Sequence, residues 1–168
     1  VRKIIGRPVR FYFGTTGSAL TDRVAELLGA VGLNETYLDR RPSEMSGGEK
    51  QRLCLARALA AKPDLIICDE VTSALDQLIA KDIVDLLKRI QQQSGVSYLF
   101  ITHDIDTVRS IADDIVVLKS GEIVEQGCRE IILHPPHAVY TKLLLSSVPV
   151  MRHGWLDQAM AERRSSFG

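Results

Sequence analysis

No run of apolar residues approaches the ~18 needed to cross a bilayer as a helix, and the N-terminus carries no apolar signal-peptide core. There is no excess of either charge: 21 basic and 21 acidic side chains give a formal net charge of zero. That balance argues against a protein whose main work is coating DNA or an anionic membrane, while leaving room for a local basic patch. Cysteine is scarce, and Cys54, Cys68 and Cys128 form no C-x-x-C pair. An odd number at wide spacing argues against a disulfide or zinc framework and reads as reduced, mostly buried thiols of a cytosolic protein. Internal repeats and low-complexity tracts are also missing. What is present is ordinary globular composition, 45% apolar and 25% charged, which excludes disorder and collagen-like repeats. A length of 168 residues suits one domain or part of a larger one, and a first residue of Val1 rather than Met suggests a fragment.

Helical and strand patterns alternate, which is the mark of the α/β class. Leu20, Val24, Leu27, Leu28 and Val31 recur at helical spacing between Ser18 and Gly32, and Gly32 suits the stop. A loop from Asp39 to Glu44 precedes a helix from Gly47 to about Ala61, closed by Pro63. The continuous apolar run Leu65-Ile66-Ile67-Cys68 reads as a strand of a parallel sheet, buried on both faces. Asp76 can cap a long helix whose core stripe is Ile79, Ile83, Leu86, Leu87 and Ile90. Ser97 to Thr102 is the next strand, followed by a short helix using Val108 and Ile111. Ile115 to Leu118, Gly121 and Glu122 to Glu125 form a hairpin pattern. After Gly127 the composition shifts; His134-Pro135-Pro136-His137 precedes a helix around Tyr140 to Ser146, and the tail after Pro149 is polar and weakly patterned.

Three places carry chemistry. Ser46-Gly47-Gly48-Glu49 can be a plain capping box, with Ser46 as cap and Glu49 reaching back. The box leaves the glycines unexplained, since they cost entropy at a helix start. Glycines there let an anion approach the backbone N–H groups and the positive end of the helix dipole. Asp69-Glu70 ends the apolar strand at its C-terminal edge, where ligands bind in open α/β sheets. One carboxylate can help hold Mg²⁺ while its neighbour orients or deprotonates a water; the bland alternative is a solvated strand exit. His103 follows the next apolar strand, so neighbouring parallel strands would bring it beside Asp69-Glu70.

In order and spacing, these segments resemble the ATP-binding cassette (ABC) ATPases from about Val1 to about Arg152. Met45-Ser46-Gly47-Gly48-Glu49-Lys50-Gln51-Arg52 resembles the signature motif, and Leu65 to Glu70 the Walker B strand. Ser73-Ala74-Leu75-Asp76 resembles the D-loop and His103 the switch histidine. Glu49 stands where Gln is usual, and Val71 where Pro is usual. The resemblance implies a partial P-loop NTPase domain, a parallel-sheet core fragment with part of the helical signature subdomain. It implies ATP and Mg²⁺ as ligands, Asp69 as the metal residue, and Glu70 and His103 as catalytic residues. Ser46, Gly47, Gly48 and Glu49 would belong to the nucleotide-contacting group, serving nucleotide held by an opposing cassette, with Asp76 lining the same interface. No G-x-x-x-x-G-K-[ST] occurs in the chain, and Gly14-Thr15-Thr16-Gly17-Ser18 reads as a surface turn. The chain is therefore expected to be a C-terminal fragment lacking the Walker A region, inactive by itself.

His134 to His137 with Tyr140 to Pro149 resembles the C-terminal extension of oligopeptide, dipeptide and nickel importers, and Val1 to Arg10 their helical subdomain. The expected division is residues 1–62 in the helical subdomain, 63–127 in the ATPase core and 128–168 in the extension. The resemblance implies an importer ATPase for peptides or related small solutes, peripheral on the cytoplasmic face of the membrane. Its partners would be a second ATPase subunit, transmembrane permease subunits and, indirectly, a solute-binding protein, with no nucleic acid. Two alternatives are a chromosome-maintenance or DNA-repair ATPase and a non-catalytic interaction module. The first fits less well, because the interval from Ser46 to Glu70 leaves no room for a coiled coil.

Overall fold

The computed structural model describes residues 1–73 and 75–147. Ala74 of the expected D-loop, and everything from Val148 onward, including Pro149 and Arg152, lie outside the described residues. The chain divides into two compact units, one ending at Asp104 and the other beginning at Ile105.

In the first unit, helices α1 (Arg2–Phe13), α2 (Gly17–Ala30) and α3 (Gly47–Leu59) pack on one another. Ile5 and Val9 of α1, and Leu20, Val24, Leu27 and Leu28 of α2, are spaced to share one helix face, and all are buried. Gly14, at φ 65°, closes α1, and the expected turn is limited to Gly14–Thr16, since Gly17 and Ser18 already open α2. Gly32, at φ 73°, takes the left-handed position that ends α2. The Leu33 N–H then reaches the Leu28 carbonyl at 2.9 Å. Arg52 of α3 donates to the Val31 carbonyl at 2.8 Å, tying α3 to that end.

Strand β1 (Leu65–Asp69) pairs in parallel with β2 (Ser97–Ile101), joined by helix α4 (Gln77–Ser94). A parallel pair needs such a crossover, because no short turn can connect it. Asp76 caps α4 as its sequence suggests, accepting from the Ile79 N–H at 3.1 Å. Ile83, Val84, Leu86, Leu87 and Ile90 of α4 are buried. The expected burial of β1 on both faces does not hold. Ile66 and Cys68 are buried, but Leu65, Ile67, Leu99 and Ile101 are between 48% and 62% exposed. Side chains alternate across a strand, and the described chain covers only one face of this pair. Of the cysteines, all free, only Cys68 is buried, and burial pushes its thiol up to about 11; Cys54 is exposed and Cys128 half-buried.

The second unit holds α5 (Ile105–Ile111), an antiparallel hairpin of β3 (Asp114–Lys119) and β4 (Glu122–Cys128), and short helices α6 (Arg129–Ile132) and α7 (Val139–Ser146). Ser120 and Gly121 turn the hairpin with φ of 53° and 84°, positive at both as a tight two-residue hairpin turn requires. Ile132 of α6 packs against β4 where Gly127 offers no side chain. The Glu125 carboxylate accepts from the Ala138 N–H at 3.1 Å, just ahead of α7.

Candidate functional site

Strand β1 delivers two carboxylates in different ways. Asp69 is its last residue, exposed and in register with Ile101 of β2. Glu70 leaves the strand with φ 50°, in the left-handed region that costs a residue with a Cβ about 1–2 kcal/mol. Three hydrogen bonds hold it there. Its N–H donates to the Ile101 carbonyl at 2.9 Å, and its carbonyl accepts from the Ser73 N–H at 3.2 Å and the Ser73 hydroxyl at 2.9 Å. His103 lies two residues beyond β2, and the parallel register brings its Nδ1 within 2.8 Å of Glu70 Oε1. The imidazole is 80% exposed and the carboxylate 39%. The hydrogen bond to Glu70, then that carboxylate's charge, raise the His103 pKa above the ordinary histidine value.

A second group sits at the start of α3. The Ser46 hydroxyl accepts from the Glu49 N–H at 3.3 Å, while the Ser46 N–H donates to Glu49 Oε2 at 2.7 Å, a complete capping box. The other carboxylate oxygen of Glu49 accepts from the Tyr37 hydroxyl. That bond, followed by the one from the Ser46 backbone, holds the Glu49 pKa below the usual carboxylate range. Gly48 has a packing cause: a Cβ there would lie 2.7 Å from Ile79 Cγ2 of α4. Gly47 is exposed, with only Leu75 Cδ2 at 3.4 Å from a Cβ position. Its backbone is the part of this helix start left open to an anion.

Glu70 is thus joined to His103 with Asp69 adjacent, and Ser46 is joined to Glu49. Among the described residues no hydrogen bond links the two groups. Tyr37 is a contributor that sequence reasoning missed; Ser73 and Ile79 were read as part of the D-loop and of the α4 core stripe, not as the supports of Glu70 and Gly48. The Ser73 hydroxyl three residues from Glu70 was a usable local signal; Tyr37 offered none. Among the described residues no group of three or more His, Cys, Asp or Glu could cage a metal. The lone exposed carboxylate of Asp69 fits Mg²⁺, which keeps most of its waters and takes its other ligands from substrate phosphates.

A parallel-strand core and a helical subdomain, with a carboxylate and an imidazole meeting at the strand ends, define a partial P-loop ATPase fold of the ABC type. The family model described as "ABC transporter" matches residues 10–73. The oligopeptide transport ATP-binding protein OppF of Lactococcus lactis is 41% identical over 146 residues, which are 87% of this chain and 46% of OppF. The glutathione import ATP-binding protein GsiA of Salmonella typhimurium is 43% identical over 87% of this chain and 23% of its own length. The chain thus spans about half the length of the first curated relatives it matches, the 46% measured on OppF. Among solved structures, a dimeric post-hydrolysis ATP-binding cassette bound to ADP and Pi is 34% identical, with a TM-score of 0.64 over 74% of this chain and 54% of that one. A second, the dimeric structure of a bacterial ABC transporter cassette, is 32% identical with the same TM-score of 0.64.

These matches correct one expectation. A C-terminal fragment lacking the Walker A region is not upheld, because the family model falls on residues 10–73, on the N-terminal side of this chain. The relatives are also matched over 87% of the chain. No helix among the described residues is long and apolar enough to cross a membrane.

Proposed function

We propose that this chain is part of the ATP-binding and ATP-hydrolysing subunit of an ABC importer for peptides or related small solutes. The observation that carries the reading is the 2.8 Å pairing of His103 with Glu70 at the ends of adjacent parallel strands. It supports a positioned carboxylate whose orientation is set by an imidazole, the arrangement that activates a water for attack. Glu70 polarises the attacking water. His103 orients Glu70 and donates toward the phosphate under attack. Asp69 would hold Mg²⁺, and that ion would neutralise charge on the phosphate oxygens. Ser46, Gly47 and Gly48 offer a hydroxyl, backbone N–H groups and a helix dipole to the nucleotide held by a second cassette. Glu49 supports that surface, and Asp76 lies on the same interface. The dimeric cassettes among the similar structures support a second ATPase subunit as partner. The peptide and glutathione importers among the relatives support permease subunits, an indirectly acting solute-binding protein and a peripheral place on the cytoplasmic face of the membrane. The proposed subdomain boundaries remain 1–62, 63–127 and 128–168.

Glu70→Gln in the complete protein tests the reading, since it keeps shape and hydrogen bonding but removes the charge that orients water. Turnover should fall by about 10²- to 10⁴-fold while nucleotide binding survives. Near-normal turnover would overturn the assignment.

A further inference from the structure

We infer that Tyr37 is a positioning residue, whose hydroxyl holds the Glu49 carboxylate so that the start of α3 stays open to a nucleotide phosphate. The inference rests on the nucleotide role proposed for Ser46, Gly47 and Gly48. A helix N-terminus attracts anions through unpaired N–H groups and the positive end of its dipole. Glu49, in the first turn of α3, puts a full negative charge where that attraction operates and competes with any incoming phosphate. The capping box restrains only Oε2, through the Ser46 N–H at 2.7 Å. The Tyr37 hydroxyl takes Oε1, so both carboxylate oxygens are bound within the chain. Tyr37 is itself held. It ends a short 3₁₀ turn, Glu35–Tyr37, fixed by the Asn34 side chain accepting from the Thr36 N–H at 3.0 Å. The Arg40 guanidinium lies 4.3 Å from the centre of its ring, adding a positive charge beside the pair. A phenylalanine at position 37 would keep the ring and release Oε1 together with its charge.

Two measurements test this. In the 168-residue chain, the Glu49 side-chain carboxyl is titrated by NMR, with Tyr37→Phe as the comparison. The wild-type group should titrate below the usual carboxylate range and move up toward it in the variant; no movement would overturn the inference. In the complete protein, Mg-ATP turnover is measured for wild type, Tyr37→Phe, Glu49→Gln and the double variant. Tyr37→Phe should lower turnover about tenfold, the scale of one hydrogen bond to a charged group. In the Glu49→Gln background the same change should cost less than about twofold, because no charge is left to restrain. Equal penalties in both backgrounds would overturn the positioning role while leaving the nucleotide reading intact. A wild-type protein without turnover would overturn both, with the titration still reporting whether the Tyr37–Glu49 bond exists.

Discussion

Glu70 and His103 form a pair whose chemistry turns on one proton. The carboxylate raises the His103 pKa, so the imidazolium persists to higher pH in the folded chain than in the unfolded one. The stabilisation this gives is fully present below the unfolded value near 6.5 and is lost as pH rises through the folded value. His103→Ala should therefore lower stability at about pH 5.5 and have little effect at about pH 9, by urea denaturation. The histidine titration followed by NMR should also fall back toward its ordinary midpoint in Glu70→Gln. An unshifted midpoint would mean that the 2.8 Å contact is not kept in solution.

Where α3 meets α4, geometry makes a sharper demand than helix propensity. Alanine at position 48 would place its Cβ 2.7 Å from Ile79 Cγ2, a β-branch that only the stiff χ1 torsion can move. Gly48→Ala is expected to cost about 1–3 kcal/mol, the usual range for overpacking, despite alanine's better helix propensity. In an Ile79→Ala background, which removes that methyl, the cost should shrink or change sign. Gly47→Ala, exposed and with 3.4 Å of clearance, should cost less than Gly48→Ala. Equal costs for the two alanines would refute the packing account. These elements also show what could be read from sequence. The Asp76 cap, the Gly121 turn and the periodicity of α2 and α4 are local, so a few neighbouring residues specify them. The meeting of Glu70 and His103 was legible as well, because two short strands joined by one helix leave little freedom in where their ends fall. The Tyr37 bond to Glu49 was not, since it forms through two short turns with no periodicity. Nor was the tight fit of Ile79 on Gly48, which depends on how two helices pack. The four apolar residues from Leu65 to Cys68 specify a strand but not how many of its faces are covered.

For the chain as a whole, the open sheet face has a solution consequence. Leu65, Ile67, Leu99 and Ile101 form a contiguous apolar patch on a protein with no net charge to keep copies apart. The 168-residue chain should self-associate with rising concentration, read by light scattering. Ile67→Lys should shift that association to higher concentration without changing helix content. A strictly monomeric chain at all concentrations would show that the patch is protected in solution. The same pair of strands sets a condition on folding. A slip of β2 by one residue along β1 would bring Thr102 or Asp104 to the place of His103 beside Glu70, and would swap β2's side chains between the two faces of the pair. With Asp104 there, attraction becomes repulsion between carboxylates. The Glu70–His103 contact therefore acts as a proofreader of strand alignment, rewarding the one register in which the edge proposed to carry the chemistry is also assembled.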